Sequence, residues 1–433
     1  MSTTPWPLAT HPVAILTFLV CHCAVMLGFT FPDSLLRPAL LPLQPLVASL
    51  LFKTEAMGDW GTATRTLISS VIIFMPLQYL DLVLLSGWSF AAQGPTTLWN
   101  GDRMGTTAAH GASTNGHRAG PKHPAPSHSS VWSRFRFGLV TTLSFGHLDT
   151  PYEARNSPHF SAKDESYVPS RSAYLLRTFV IFLASALLVD FSFAVHGIEG
   201  AAIPISMAQV PLFSRLREVT AQEAIERAVI VALAWLNCYC LVQACYSFLG
   251  VVLVGLGIYD VKDFRPAMGD VCRGYTIRKF WGESWHQFLR PIVLHPASFI
   301  AEHLHLPGRG NIRRYAEAVL PFLISGLLHR LVDIPLGVPW AESGAFRFFA
   351  MQPVGILIEE AVQEVWRRLS NEDGKPRHPA VWKRLVGFAW WGLWMVWSLP
   401  VWMYPHIIRQ GESPVLIRGL PWSVAEKILG LER

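Results

Sequence analysis

Residues 319–335 read "VLPFLISGLLHRLVDIP", an apolar run that nevertheless contains His329, Arg330 and Asp333. Ionisable groups are expensive inside a membrane, so those found in a predicted span are usually functional. Ser325, His329 and Asp333 are four residues apart, which places them on one face of a helix. A carboxylate one turn from a histidine suits a general base and its orienting group. The alternative is a structural histidine, with Arg330 paired to Asp333 or to Glu342.

Apolar runs of about 18 or more residues, long enough to cross a bilayer, occur at eight places in the chain. They lie near residues 12–31, 36–52, 67–88, 174–195, 228–258, 318–338, 346–365 and 385–404. Only 15% of the 433 residues are charged and 51% are hydrophobic, whereas soluble domains carry about a quarter charged residues. We therefore predict an all-α, polytopic transmembrane protein with about eight spans.

The loops between these runs differ in charge. If the spans alternate in direction, residues 87–171, 259–316 and 367–384 emerge on one side of the membrane. They hold 23 of the 36 lysines and arginines, whereas the opposite loop, residues 197–223, holds two. Positive charge marks the cytoplasmic side, so we expect these three loops in the cytosol. The net charge of +6 forms no basic stripe, and we expect no nucleic acid partner.

The first basic loop contains a segment, residues 94–130, that is rich in Thr, Ser, Gly, Pro and His and poor in aliphatic residues. Such a composition cannot bury enough apolar surface to fold, so we predict disorder there. Its four histidines lack the spacing of metal ligands, and we expect no metal site.

Residues 278–291, "RKFWGESWHQFLRP", combine aromatic and charged side chains. A helix over residues 276–290 that stops at Pro291 has two opposite stripes. The apolar stripe comprises Trp281, Trp285, Phe288 and Ile292. The polar stripe comprises Lys279, Glu283, His286 and Arg290. This pattern predicts an interfacial amphipathic helix with tryptophans in the headgroup layer, whose cations suit the phosphates of an anionic cytosolic ligand.

Two short blocks carry a family resemblance. The first is Phe-Trp-Gly-Glu-Ser-Trp-His at residues 280–286, and the second is Ser-Gly-Leu-Leu-His at residues 325–329. Together they resemble the wax-synthase-like branch of the membrane-bound O-acyltransferase superfamily. The histidine that ends the first block is similar to the form found in fungal acetyltransferases of terpenoid and meroterpenoid alcohols. The resemblance covers residues 273 to about 360; residues 144–160 keep only four positions of a third family segment, and no role is carried over to them.

The resemblance implies that His329 is the catalytic base, which removes the proton of a hydrophobic alcohol as it attacks the thioester of acetyl-CoA. His286 or Ser325 is then the candidate donor to the developing oxyanion. Candidates for binding the CoA co-substrate are Lys279, Arg290, Trp281 and Trp285. No cysteine or Gly-x-Ser-x-Gly elbow is placed for a covalent intermediate, so transfer is expected to be direct.

This interpretation divides the chain into N-terminal transmembrane helices (1–93), the predicted disordered cytosolic loop (94–130), an acyltransferase core (131–407) and a C-terminal tail (408–433). The membrane is expected to be the endoplasmic reticulum, with the CoA side in the cytosol. Three alternatives remain: a long-chain wax-ester synthase, a transporter whose His329, Arg330 and Asp333 relay protons, and a membrane prenyltransferase or terpene cyclase.

Overall fold

The computed structural model describes residues 11–54, 57, 60–97, 129–148, 150, 153–196, 203, 205–304, 311–370, 380–411 and 423–428. Most of the segment predicted to be disordered, including its four histidines, lies outside these residues. The described part of the chain forms helices and turns and contains no named strand. The predicted all-α class is therefore confirmed.

The helices are numbered here in chain order. They are α1 (Pro12–Phe29), α2 (Leu36–Ala39), α3 (Leu43–Ala48), α4 (Thr62–Tyr79), α5 (Val131–Leu143), α6 (Arg171–His196), α7 (Ala221–Gly255), α8 (Ile277–Lys279), α9 (Arg290–His303), α10 (Asn311–Asp333), α11 (Ala345–Leu369), α12 (Val381–Ser398), α13 (Pro400–Gly411) and α14 (Val424–Ile428). Two π-helical segments, Leu80–Leu85 and Phe280–Ser284, follow α4 and α8 directly.

Five helices in the described residues are long and apolar enough to cross a membrane, and a sixth span results if α12 and α13, bent by 51° at their junction, count as one. The sequence predicted eight. One predicted span, residues 36–52, is instead divided into α2, α3 and a short 3-10 helix, because Pro38, Pro42 and Pro45 interrupt it.

Helix α11 was also predicted to span, and it packs along α10 in the antiparallel direction. Its Glu360 accepts hydrogen bonds from Arg314, in the first turn of α10, and from Arg278 in α8. The approach of the two helices is close because Gly326 has no side chain: a Cβ there would lie 3.0 Å from the Cα atom of Phe346. Thus α11 returns the chain to the end of the molecule where α10 begins.

The basic loops meet at that same end, which we call the basic end. Arg136 donates to the carbonyl of Ile258 at 3.2 Å, and Arg384 donates to that of Cys272 at 2.9 Å. At the opposite end, Arg227 near the start of α7 donates to backbone carbonyls of residues 209, 210, 396 and 397. Helix α7, with 35 residues, is about 52 Å long and connects the two ends.

The stretch 276–290 is not the single helix that the sequence predicted. After α8 and the π-helical segment, Trp285 is extended and His286 turns the chain (φ 16°, ψ 67°). A new helix, α9, then begins at Arg290 with Pro291 in its first turn. Proline has no N–H to lose there and its fixed φ fits a helix start, so Pro291 begins a helix rather than ending one.

Candidate active site

A cavity of about 570 Å³ lies between α4, α6, α7, α10, α13 and the 280–289 stretch. Its walls are mostly apolar and aromatic, with a few polar groups, which is the usual character of a small-molecule site. In the described residues three histidines line it: His286, His329 and His406. The two histidines predicted from distant blocks of the sequence therefore share one space.

The imidazole of His329 is held in one tautomer. Its Nδ1 atom lies 2.7 Å from the carbonyl oxygen of Ser325, and a carbonyl can only accept, so Nδ1 carries the hydrogen. The Nε2 atom of the neutral ring then has a free lone pair. The ring packs against Phe349 at 4.4 Å and edge-on against Trp402 at 5.1 Å between centroids. This arrangement is what a general base in an apolar cavity requires.

Asp333 does not orient His329 in the way that the spacing predicted. Its carboxylate accepts hydrogen bonds from Ser343 Oγ, from Trp402 Nε1 at 3.2 Å and from His406 Nε2 at 2.9 Å. It is almost fully buried, and these three donors compensate its desolvation. The four-residue spacing is correct, but the side chain turns toward α13. Its contact with the base is indirect, through the Trp402 ring.

Ser325 contributes its backbone rather than its hydroxyl. Its carbonyl holds His329, while its side chain is absent from the lining of the cavity. The neighbouring Gly326 leaves room on the helix surface, and α11 occupies it: the Phe349 Cβ would be 3.1 Å from a Cβ on residue 326. The oxyanion role predicted for Ser325 therefore has no geometric support.

His286 lines the cavity together with two aromatic residues of the same stretch, Trp285 and Phe288. Its ring lies 5.0 Å from that of Trp285 and 6.0 Å from that of Phe288. Burial lowers the pKa of the His286 imidazole to about 4, because the surrounding apolar walls disfavour its charged form. At neutral pH the ring is uncharged and keeps one N–H donor. It is the polar group of the first block that can meet a substrate in the cavity.

The two tryptophans line the cavity too, which corrects their predicted position in the headgroup layer. Trp285 packs edge-on against Trp235 of α7 at 4.9 Å, and Trp281 lies 5.7 Å from Phe349. Trp281 also donates to Gln352 at 3.3 Å. The predicted separation into an apolar and a polar stripe is therefore wrong, since Trp281, Trp285 and His286 face the same space.

Lys279 and Arg290, the predicted phosphate ligands, have different surroundings. Lys279 lies 3.8 Å from Glu283 and 4.5 Å above the Tyr275 ring, so its ammonium group already interacts with a carboxylate and an aromatic face. Arg290 is largely enclosed and donates through Nη1 to the carbonyl of Gly282 at 3.1 Å and to Gln287 at 3.2 Å. Both of these hydrogen bonds of Arg290 use Nη1, so its Nε and Nη2 atoms keep donors for another partner.

Sequence reasoning missed His406 and Trp402, which complete the wall beside His329. Both lie in "VWMYPHII" near the C-terminal end of the last predicted span. A histidine in an apolar run was the available signal. No spacing in the sequence indicated that this run packs against Asp333, some seventy residues earlier.

Comparisons with known proteins identify the family of this chain. The family model described as "Membrane bound O-acyl transferase family" matches residues 264–351, which include both blocks. The acetyltransferase aurG of Calcarisporium arbuscula is 33% identical over 425 residues, covering 95% of this chain and 96% of the relative. The chain belongs to the membrane-bound O-acyltransferase family.

Other curated relatives of this O-acyltransferase are acetyltransferases as well. FsoF of Humicola fuscoatra is 27% identical over 93% of this chain and 98% of its own length. Pyr8 of Aspergillus fumigatus is 33% identical over 70% of this chain and 72% of its own length. No solved structure matches the chain. The predictions of an integral membrane protein and of an acyltransferase enzyme are confirmed.

Proposed function

We propose that this O-acyltransferase moves an acetyl group from acetyl-CoA to a hydroxyl of a hydrophobic, polycyclic alcohol of terpenoid or meroterpenoid type. The observation that carries the proposal is that one apolar cavity contains both His329 and His286. His329 has a free lone pair on Nε2, and the imidazole of His286 is uncharged. Cavities of about 300–1,000 Å³ bind molecules of drug size, and the volume here suits a polycyclic acceptor.

In this proposal His329 acts as general base. The alcohol oxygen attacks the thioester carbonyl while its proton passes to Nε2 of His329, and the carbon–oxygen bond forms. The tetrahedral intermediate then collapses with cleavage of the carbon–sulfur bond. The departing CoA sulfur takes up the proton from Nε2, so the products are an ester and free CoA, and the enzyme returns to its starting state.

We assign to His286 the role of hydrogen-bond donor to the developing oxyanion. Its uncharged imidazole donates one N–H toward the carbonyl oxygen of the thioester, where negative charge develops. A positioned donor in a water-poor site contributes several kcal/mol to such a step. Trp281 and Trp285 flank this point and exclude water, which favours the alcohol over hydrolysis.

We further infer the orientation and the division of the chain. The basic end faces the cytosol, where acetyl-CoA is available, and the membrane is that of the endoplasmic reticulum. Residues 131–407 form the acyltransferase core, between a cytosolic loop (94–130) and a C-terminal tail (408–433). The N-terminal helices (1–93) close the cavity, since Phe74 and other residues of α4 line it.

The test uses microsomes that contain the wild-type chain, His329→Ala or His303→Ala, supplied with labelled acetyl-CoA and an extract of terpenoid and fatty alcohols. His303 is the matched control, because its Nδ1 contacts the carbonyl four residues earlier at 2.9 Å but its side chain is exposed. Label should enter the organic phase with the wild type and His303→Ala and be lost with His329→Ala.

Equal transfer by His329→Ala would contradict the assignment of the base. Transfer of a long-chain acyl group in preference to acetyl would indicate a wax-ester synthase instead. If no variant transfers label from any donor, a transporter with an intramembrane proton relay becomes the better explanation.

A further inference from the structure

The carbonyl oxygen of Gly282 joins two parts of the chain that are far apart in sequence. It accepts a hydrogen bond from Arg290 Nη1 at 3.1 Å and another from Asn156 Nδ2 at 2.7 Å. Gly282 lies in the first family block, whereas Asn156 lies in the 144–160 segment, to which no role was carried over from the family resemblance. The shared acceptor brings Arg155, next to Asn156, beside Arg290.

The turn that carries Arg155 is firmly anchored. The Ala154 N–H donates to the carbonyl of Gly146 at 2.8 Å, and the Ser157 hydroxyl donates to the carbonyl of Ala154 at 2.7 Å. Arg265 holds both flanks of the turn, through an ion pair with Glu153 and a 2.7 Å contact with His159. Arg155 itself is exposed, so a fixed turn presents it to the outside.

The two arginines have no acidic partner among the described residues. Three other cations of the basic end do have acidic partners: Arg273 pairs with Glu283, and Arg278 and Arg314 pair with Glu360. Burial and the nearby charge of Arg155 lower the pKa of Arg290. Two like charges side by side, one of them enclosed, are unfavourable unless an anion lies between them.

Space for an anion exists at the same point. A Cβ atom built on Gly282 would meet nothing within 4 Å, so the packing of the chain does not require glycine here. The space beside the Gly282 Cα atom is therefore open, while Arg290 contacts the carbonyl oxygen of the same residue. A few residues away, His286, Phe288 and Leu289 line the reaction cavity.

We propose that Arg155 and Arg290 together bind a phosphate group of the acyl donor in the open space beside Gly282. Arginine suits this task because its planar guanidinium makes paired, charge-assisted hydrogen bonds to phosphate. The inference rests on the proposed function and adds to it a residue, Arg155, from outside both family blocks. The phosphate held there positions the donor so that its thioester reaches His286 and His329.

The experiment measures equilibrium binding of labelled acetyl-CoA to the full-length protein in detergent, for the wild type, Arg155→Ala, Arg155→Glu, Arg368→Ala and His329→Ala. Arg368 is the matched control: it is an exposed arginine at the C-terminal end of α11, and it pairs with Glu364 of the same helix. Loss of a charge-assisted hydrogen bond predicts about a tenfold weaker affinity for Arg155→Ala, and a greater loss for Arg155→Glu. Arg368→Ala and His329→Ala should bind as the wild type does.

Two further donors separate binding from folding. With S-acetyl-pantetheine, which lacks the phosphates, kcat/KM should be the same for the wild type and Arg155→Ala. With 3′-dephospho-acetyl-CoA, a persisting defect assigns the site to the diphosphate, and a vanishing defect assigns it to the 3′-phosphate.

Each contrary result has a distinct meaning. Unchanged acetyl-CoA affinity in Arg155→Ala, or an equal loss of activity with S-acetyl-pantetheine, overturns the phosphate site alone. If the wild type binds no acetyl-CoA, the proposed function fails and the phosphate site fails with it.

Discussion

The Nδ1 atom of His329 is bonded to the backbone of Ser325, one turn earlier on the same helix, and not to the carboxylate of Asp333, one turn later. The tautomer of the catalytic candidate is therefore set by a carbonyl that no side-chain substitution removes. A neutral carbonyl orients the ring without stabilising an imidazolium as a carboxylate does. The base is thus suited to a proton that is taken up and soon returned.

Replacement of Ser325 by alanine tests this relationship. The carbonyl remains, so the acetyl transfer rate should stay within about twofold of the wild type, whereas loss of a general base lowers rates by about 10²–10⁴-fold. Steady-state kinetics with acetyl-CoA would show the difference against His329→Ala. A loss of a hundredfold in Ser325→Ala would mean that the hydroxyl itself takes part.

Asp333→Asn should destabilise the protein more than it slows the chemical step. The carboxylate accepts three hydrogen bonds, and weakening bonds to a buried charged group costs about 2 kcal/mol. The expected result is a lower thermal unfolding midpoint in detergent. The matched control is Glu342→Gln, since Glu342 pairs with Arg409 at a partly exposed site, where such pairs contribute little.

In Asp333→Asn a kcat unchanged within a few-fold would agree with an indirect role through Trp402 and His406. A loss of kcat as large as that of His329→Ala, without loss of stability, would instead show that Asp333 is the group that orients His329.

The lowered pKa of His286 predicts a pH dependence of stability. The unfolded chain protonates this residue near pH 6.5, whereas the folded protein does so near pH 4, so between these values the unfolded state binds more protons. Stability should therefore fall as the pH drops from 6.5 toward 4, by on the order of 1 kcal/mol per pH unit.

Unfolding midpoints measured at several pH values for the wild type and His286→Asn would isolate this contribution, because the other titrating groups are common to both. The difference between the two proteins should change between pH 6.5 and pH 4.5 and be constant above pH 7. Parallel curves over the whole range would show that His286 is solvated.

Gly326→Ala should separate α10 from α11. A Cβ at this position approaches Phe346 and Phe349 to 3.0 and 3.1 Å, and Phe349 packs on the His329 ring. Overpacking of this kind costs about 1–3 kcal/mol, and displacement of Phe349 should also reduce kcat. Gly392→Ala is the control, because a Cβ there meets nothing within 4 Å. Equal behaviour of both variants in thermal unfolding and in turnover would contradict the prediction.

The sequence predicted the membrane class and the two blocks because both depend on local composition. His329 and His286 were found from short motifs, and the cavity contains both. The contacts of Asp333 could not be predicted, since helical spacing gives the face of its own helix and says nothing of α13. The prediction of two stripes on residues 276–290 was wrong because part of this stretch is π-helical. A π-helical turn holds more residues than an α-helical turn, so α-helical periodicity does not describe which side chains share a face.

The span count shows the same limit. Prolines break one predicted span, and Glu359, inside α11, accepts from the backbone N–H of Ile277 and so belongs to the packing of the first block. Hydropathy registers both segments as apolar runs, but it registers neither the effect of the prolines in the first nor the distant backbone that Glu359 of the second contacts.

The long helix α7 supplies much of the cavity wall and holds none of the candidate reacting groups, which lie on α10 and in the 280–289 stretch. Substitutions such as those at Leu233, Asn237 or Val242 can therefore reshape the space without touching the proton acceptor. In the proposed function, such substitutions would change the shape of the space that receives the alcohol. The fit of the acceptor and the proton transfer would then depend on different helices of the same cavity.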